Sequence, residues 1–420
     1  MLKLKKVSGA FMEQTTPSSI ELQEPAQTTS EKPQKDSKSW LVLLIFGIIF
    51  AGAGGALLAI TLLKPAEEKV AINFPKIPSK TSTEKTYSAL TGEEISNTQE
   101  NKAPIYCVQT PNGTDGARPQ AGLHDAGVIF EAIAEAGITR FAAIYQNPTS
   151  AVIGPIRSLR LYYLEWDTPF DCTIVHAGGA YDALTAVKNG GYKDLTENYS
   201  YMYRGTVGSR RWNNLFTNSD YLKKFTDDRG FAESNPQGFT HKTPEEAEKT
   251  RADSLVEEKL SITTAATKST KNIVPQVSTI RLGFGNLPNY NPVYNYNSAT
   301  NTYDRSFASG ATHEVYDCPH ENLGNKNPED VCELKQLSPS VVIAIMVNER
   351  KASDNYHEDI TTTGSGTAYV FQNGTAVRGT WSKNTRADQI KFYDENNNEI
   401  ALNPGQVIVS AIPNYGWVEY

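Results

Sequence analysis

His176 is the residue of this sequence best placed to do chemistry. It ends the apolar run Cys172–Val175 and precedes Ala177, Gly178, Gly179 and a helix-forming stretch. Ligands of open α/β sheets commonly sit at the carboxyl edge of such strands. Glycines let a ligand approach the backbone, and a helix N-terminus favours an anion. There His176 could donate to a ligand or act as a general base; the competing reading is a histidine that bonds a loop carbonyl. Arg157, Ser158 and Arg160 lie in the segment Gly154–Arg160, at the start of a predicted helix. Arginines three apart share a helix face, and with free N–H groups nearby they suit a carboxylate or phosphate. An internal salt bridge to Glu131 or Glu135 competes with that reading, and Arg140 has the same two readings. Glu131 or Glu135 could serve as the acid beside His176, but nothing in the sequence sets the separation of the two carboxylates.

Cys318 and Cys332 bracket a polar loop, and in an exported body they are expected to form a disulfide worth about 3 kcal/mol. His313, Cys318, His320 and Cys332 would be the zinc alternative, but their spacing fits no standard zinc module. Cys107 and Cys172 fall in two predicted buried strands and either bridge or stay buried thiols. No phosphate loop, H-E-x-x-H helix or G-x-S-x-G elbow occurs. No metal ion and no cofactor is expected. The 40 Lys and Arg against 47 Asp and Glu leave a charge of −7, which argues against nucleic acid as a partner.

The elements that must position these residues are legible in outline. Val128–Glu135 and Ile138–Gln146 flank Ala136-Gly137 and read as a hairpin; a helix with Glu131 and Glu135 on one face is the alternative. Gly154-Pro155 opens a predicted helix through Trp166, because proline is tolerated at the first helical position. Cys172–Val175 reads as a buried strand, Ala180–Lys188 as a helix ending at Gly190-Gly191, and Leu215–Phe225 as another helix. Pro244–Leu260 is a charged helical stretch. After Val277 short alternating runs separated by Asn, Gly and Pro predict strands at Val293–Tyr296, Val341–Val347, Thr367–Gln372, Gln389–Tyr393 and Gln406–Ile412. The fold class expected is therefore a mixed α/β N-terminal part followed by a β-rich C-terminal part.

Leu41–Leu63 carries no charge and, as a helix, covers roughly 34 Å, enough for a bilayer core of about 30 Å. Trp40 marks one edge, and Lys32, Lys35 and Lys38 put the N-terminus in the cytoplasm. The expected organisation is a disordered cytoplasmic tail (1–39), a transmembrane helix (40–63), a flexible stalk (64–102), an α/β domain (103–245), a linker (246–275) and a β-rich domain (276–420). Gly47, Ala51 and Gly55 form a stripe through which two such helices could pack as a homodimer. The body is expected outside the cytoplasmic membrane.

Several segments together resemble the YerB-like lipoprotein family, whose two-part domain is of unknown function. They are Ala117–Leu123, Ala126–Phe141, Ile153–Tyr163, Val175–Ala180, the Tyr294–Arg305 region, Gly364–Gly374, Gly379–Lys383 and Ala401–Gln406. The resemblance implies an envelope-anchored, extracytoplasmic protein and supplies no mechanism. Relatives have a Pro-His-Asn-Leu-Tyr-Thr stretch where this chain reads Trp212–Thr217: Asn214 and Thr217 match, whereas Asn213 replaces the histidine. The leading expectation is an envelope protein that binds a polar or anionic ligand between His176 and the Arg157/Arg160 helix. A hydrolase or transferase using His176 with Glu131 or Glu135, and a structural partner in an envelope complex, are the alternatives.

Overall fold

A computed structural model describes residues 85–206, 212–251, 277–318, 325 and 327–420. The expected tail, the span 40–63 with Gly47, Ala51 and Gly55, and most of the linker lie outside the described residues. Among the described residues no helix is long and apolar enough to cross a membrane.

The first half contributes five strands to the main sheet: β1 (Ile105–Pro111), β2 (Val128–Glu135), β3 (Ile138–Gln146), β4 (Thr173–His176) and β5 (Asp194–Thr196). The second half supplies β6 (Thr279–Gly283), β7 (Pro292–Asn297), β8 (Thr302–Phe307), β9 (Val341–Val347), β10 (Gly364–Gln372), β11 (Thr375–Lys383), β12 (Lys391–Tyr393), β13 (Val407–Pro413) and β14 (Trp417–Glu419). Ten of these described strands form one mixed sheet in the order β12-β11-β10-β9-β13-β2-β3-β1-β4-β5, and a second sheet runs β8-β7-β6-β14. The composition of the halves agrees with the expected mixed fold rich in strands. The halves nevertheless share one sheet, because β13 pairs in parallel with β2 from Val407 opposite Val128 to Ser410 opposite Glu131.

Side chains of a strand alternate between its faces, and both faces of the main sheet are covered. On one face Cys107, Phe130, Ala142, Ile343 and Val409 cluster with α1 (Leu161–Asp167) and α2 (Tyr181–Gly190). On the other Val108, Ile129, Phe141, Ala344 and Ile408 cluster with Ile280, Leu282, Tyr294 and Tyr303 of the second sheet and with Leu222 and Phe225 of α3 (Ser219–Arg229). This double burial explains why the central strands read as nearly continuous apolar runs.

The hairpin expected over 128–146 is present. Ala136 and Gly137 both take left-handed φ values, 52° and 77°, the pair that matches a two-residue turn to the twist of its strands. A register shift between Ile133 and Glu135 breaks the alternation, and Glu131 and Glu135 end in different networks.

Three expectations need correction. Gly154-Pro155 opens no helix: residues 153–160 are extended and spend their backbone groups on Thr217, Leu215, Gln109 and Gly178, so the helix starts only at Leu161. Leu215-Phe216 is a short strand, and α3 begins after Asn218, whose side chain accepts from the Tyr221 N–H at 2.7 Å. The fold also begins before residue 103. Thr86-Tyr87 pairs with Glu94-Ile95, and Leu90 is buried against Gly127, where a Cβ would meet its side chain.

Both disulfides form, Cys107–Cys172 between β1 and the residue just before its neighbour β4, and Cys318–Cys332 across the polar loop. That excludes thiolate ligation of zinc by Cys318 and Cys332.

At the seam Glu131 of β2 and Arg305 of β8 are both fully buried and meet through two bonds of 2.9 Å each. Asn112 and Thr139 donate to the Glu131 Oε1 at 3.3 and 3.0 Å, and the Arg305 Nη1 donates to the Tyr294 hydroxyl. Removing one member of a buried pair strands the other charge. Arg305→Met is therefore expected to cost about 3–5 kcal/mol in urea unfolding, with part of that loss recovered in the double variant Glu131→Leu/Arg305→Met.

Candidate functional site

Strands β1, β4 and β5 are parallel to one another, so their carboxyl ends lie along one edge of the sheet. The extended segment 153–160 is bonded to that edge. The Arg157 N–H donates to the Gln109 carbonyl of β1 at 2.7 Å, and the Arg157 carbonyl accepts from Ala177, just past β4, at 3.0 Å. Leu159 N–H donates to Gly178 O at 3.0 Å, and Ala180 N–H returns to Leu159 O at 3.1 Å. On its other side Ile156 N–H donates to Leu215 O at 2.8 Å. The sequence segments around Arg157, Gly178 and Asn214 are thus neighbours.

His176 holds this arrangement together and does not face solvent. It is 1 % exposed; its Nδ1 lies 2.7 Å from Gly178 O and its Nε2 2.9 Å from Asp194 Oδ1. Gly178 has φ 68°, and a Cβ there would meet nothing within 4 Å. The constraint on Gly178 is its left-handed backbone, and the space beside it is open. Gly179 differs: a Cβ there would come within 3.0 Å of the Leu159 carbonyl, so this glycine permits close approach of two chain segments.

The arginines divide sharply. Arg140 and Arg160 bind opposite oxygens of Glu135, at 2.9 and 2.6 Å, and their side chains are 7 % and 5 % exposed. Arg140 also donates to Ser158 O at 2.7 Å. Burial opposes ionisation of Glu135, but the two guanidiniums outweigh it and hold the carboxyl below its usual range. Arg140 and Arg160 are therefore structural, and the shared helix face expected for Arg157 and Arg160 does not exist. Ser158 donates to Ala177 O at 3.2 Å. Arg157 is half-buried, and among the described residues its guanidinium has no hydrogen bond or ion pair.

Asn214 is buried, accepting from Arg204 Nη1 at 2.9 Å and donating to Gly205 O at 3.1 Å; Asn213 donates to Asp115. Both shape the loop and present no free amide. The proposed acid–base set fails on geometry. Glu131 is sealed in its pair with Arg305, Glu135 is neutralised by two arginines, and the carboxylate partner of His176 is Asp194.

Sequence reasoning missed Asn112, Arg118, Gln109 and Asp167. Arg118 donates to Asn112 Oδ1 at 2.7 Å and lies 3.7 Å from the centroid of Phe307, a residue of the second half. Its segment, Ala117–Leu123, was singled out only by resemblance. No local period announces a contact of this kind.

A model described as "Protein of unknown function (DUF3048) N-terminal domain" matches residues 90–232, and the corresponding C-terminal domain matches 280–409. The chain belongs to this YerB-like family. It is 33 % identical over 161 residues to a Bacillus subtilis (strain 168) protein named "Putative lipoprotein YerB", covering 37 % of this chain and 48 % of that protein. The matched region thus spans about half the length of this curated relative. The crystal structure of YerB from Bacillus subtilis superposes with a TM-score of 0.60 at 19 % identity, covering 80 % of this chain and all of that one. At that identity the likeness establishes the fold.

Because both ring nitrogens of His176 are engaged within the protein, its loss should act on stability. His176→Ala is expected to cost about 1–3 kcal/mol in urea unfolding, with faster amide exchange confined to the 176–180 turn.

Proposed function

We propose that this chain is a membrane-associated, extracytoplasmic protein of the cell envelope that binds an anionic group at the Arg157–Gly178 edge. Support for the location comes from the lipoprotein name of its relative, from two disulfides that suit an oxidising compartment, and from the uncharged stretch Leu41–Leu63. All four cysteines of this sequence are taken up in those disulfides, so the reading keeps the helix 40–63 as the anchor, with its N-terminus in the cytoplasm.

One observation carries the binding reading. Arg140, Arg160 and Arg305 each face a carboxylate, whereas the half-buried Arg157 faces none among the described residues. A partly desolvated guanidinium without a counter-charge is the group a carboxylate or phosphate would complete through paired hydrogen bonds. In the adjoining turn, whose Ala177 N–H donates to the Arg157 carbonyl, Gly178 has open space at its own α-carbon, and Tyr181, three residues on, is 88 % exposed. The ligand class is an acidic envelope component, such as a cell-wall fragment bearing a carboxylate. No catalytic step is assigned, since His176, Glu131 and Glu135 are all committed to the fold.

Thermal-shift titration of the full chain in detergent tests this, with inorganic phosphate, acetate and soluble peptidoglycan fragments as probes. A native-state ligand raises the melting temperature, by about 2.7 kcal/mol of stability at a hundredfold excess over Kd. At least one probe should do so. Arg157→Gln should abolish that shift while leaving the unliganded stability within about 0.5 kcal/mol, as for other substitutions outside packed or paired sites. An equal shift in the variant, or none with any probe in the native chain, would sink the proposal.

A further inference from the structure

Asp167 ends α1 fully buried, and so does the side chain it meets, Gln109 of β1; both are 0 % exposed. One hydrogen bond joins them, from Gln109 Nε2 to Asp167 Oδ2 at 2.9 Å. The remaining oxygen of each group, Asp167 Oδ1 and Gln109 Oε1, is buried with no hydrogen-bond partner among the described residues. A carboxyl and a carboxamide are both planar and forked. Where the amide N–H on the Oε1 side makes that bond and the two planes align, the other arms are two oxygens on the same side. With an ionised carboxylate these would be two acceptors with no proton between them, each losing its hydration for nothing.

We propose that Asp167 is held as a neutral carboxylic acid whose Oδ1–H donates to Gln109 Oε1, closing a two-bond acid–amide ring with the Nε2–H···Oδ2 bond already present. The ring satisfies both orphaned oxygens at once. The proton is one that the carboxyl retains from solvent when the chain folds.

The surroundings favour the neutral form. Burial pushes the Asp167 carboxyl well above its usual range, and only the Gln109 bond opposes this; no charged group acts on it. The titratable side chains of α1 are engaged elsewhere: Tyr162 with Ile133 O, Tyr163 with Ala132 O and Arg140 O, and Glu165 with Thr362 and Arg386. On the β1 and β4 side Cys107 and Cys172 are joined in a disulfide, and His176 is turned to Asp194. The Cys172 sulfur lies 3.6 Å from the Asp167 main-chain carbonyl oxygen.

Gln109 also holds Arg157, by its main-chain carbonyl at 2.7 Å. Asp167 is thus a positioning residue for the edge. That consequence rests on the proposed binding role of Arg157; the acid–amide ring itself does not.

A folded value above the unfolded one of about 3.9 means that the native state keeps a proton the unfolded chain releases. The contribution to stability is complete below about pH 3.9 and is lost as pH rises toward the folded value. Asp167→Asn has the same shape, cannot ionise, and can make both bonds of the ring. Urea unfolding of the full chain in detergent, compared with this variant from pH 4 to 9, should show the wild-type unfolding constant rising about tenfold per pH unit relative to the variant's until the folded value is reached. A ratio independent of pH would overturn the proposal. Isotope-edited infrared spectra of the wild type with labelled aspartate give a second readout that does not depend on the variant folding. A protonated-acid band should persist at pH values above the unfolded value of about 3.9, and its absence there would equally overturn the ring. Neither measurement involves a ligand, so failure here is distinct from failure of the binding role.

Discussion

The buried ion pair between Glu131 and Arg305 is the interaction on which the rest of the structure depends. Both groups are fully desolvated, with their charges joined through two bonds of 2.9 Å. Such a pair is a poor source of net stability, because removing two charges from water costs about as much as their attraction returns. Its consequence is that neither half can close its core alone. The first half without Arg305 would bury a bare carboxylate, and the second half without Glu131 would bury a bare guanidinium. Asn112, Thr139 and Tyr294 then arrange themselves around the pair. Beside it, Ser410 of β13 lies opposite Glu131 of β2 at the junction of the two halves.

The same rule, that a buried charge must be answered, separates structural arginines from the candidate ligand-binding one. Arg140 and Arg160 share Glu135 and thereby lock the start of α1 against the β2–β3 hairpin. Asp167 answers the rule differently, with the Gln109 amide as its side chain's one hydrogen-bond partner among the described residues. Arg157 alone among these groups has no counter-charge among the described residues, and it lies at the carboxyl ends of the parallel strands. His176 contributes by fixing the Gly178 turn from beneath, a role that its position in the chain disguised as catalytic.

Where local chemistry decides structure, the sequence was easily read. The turn at Ala136-Gly137 needs two left-handed residues, and glycine there announced it. The helix expected at Ala180–Lys188 runs Tyr181–Gly190, ending where glycine lets the chain turn. Val341–Val347 is a strand over the predicted residues, because an apolar β-branched run of that length has few other stable states. The helix drawn from Gly154 failed for a non-local reason. Its proline suited a helix start, but the backbone groups of 153–160 found partners in Leu215, Thr217, Gln109 and Gly178. The fold begins before residue 103 for the same reason, since the Leu90 side chain is buried in the core beside Gly127, far along the chain.

By itself the sequence determined the local elements, the apolar stretch Leu41–Leu63, the mixed character of the two halves and the set of polar residues at the strand ends. These depend on propensities and periods that act over a few residues. Only the tertiary structure decided which charges meet. Glu131 finds its partner 174 positions away, and Glu135, four residues further along the same strand, takes two nearer arginines instead. A carboxylate's role is set by what desolvates it and what faces it, and neither quantity exists until the chain is folded. For that reason the sequence offers His176, Glu131 and Arg157 all as candidates, and of these three folding leaves only Arg157 without a side-chain partner among the described residues.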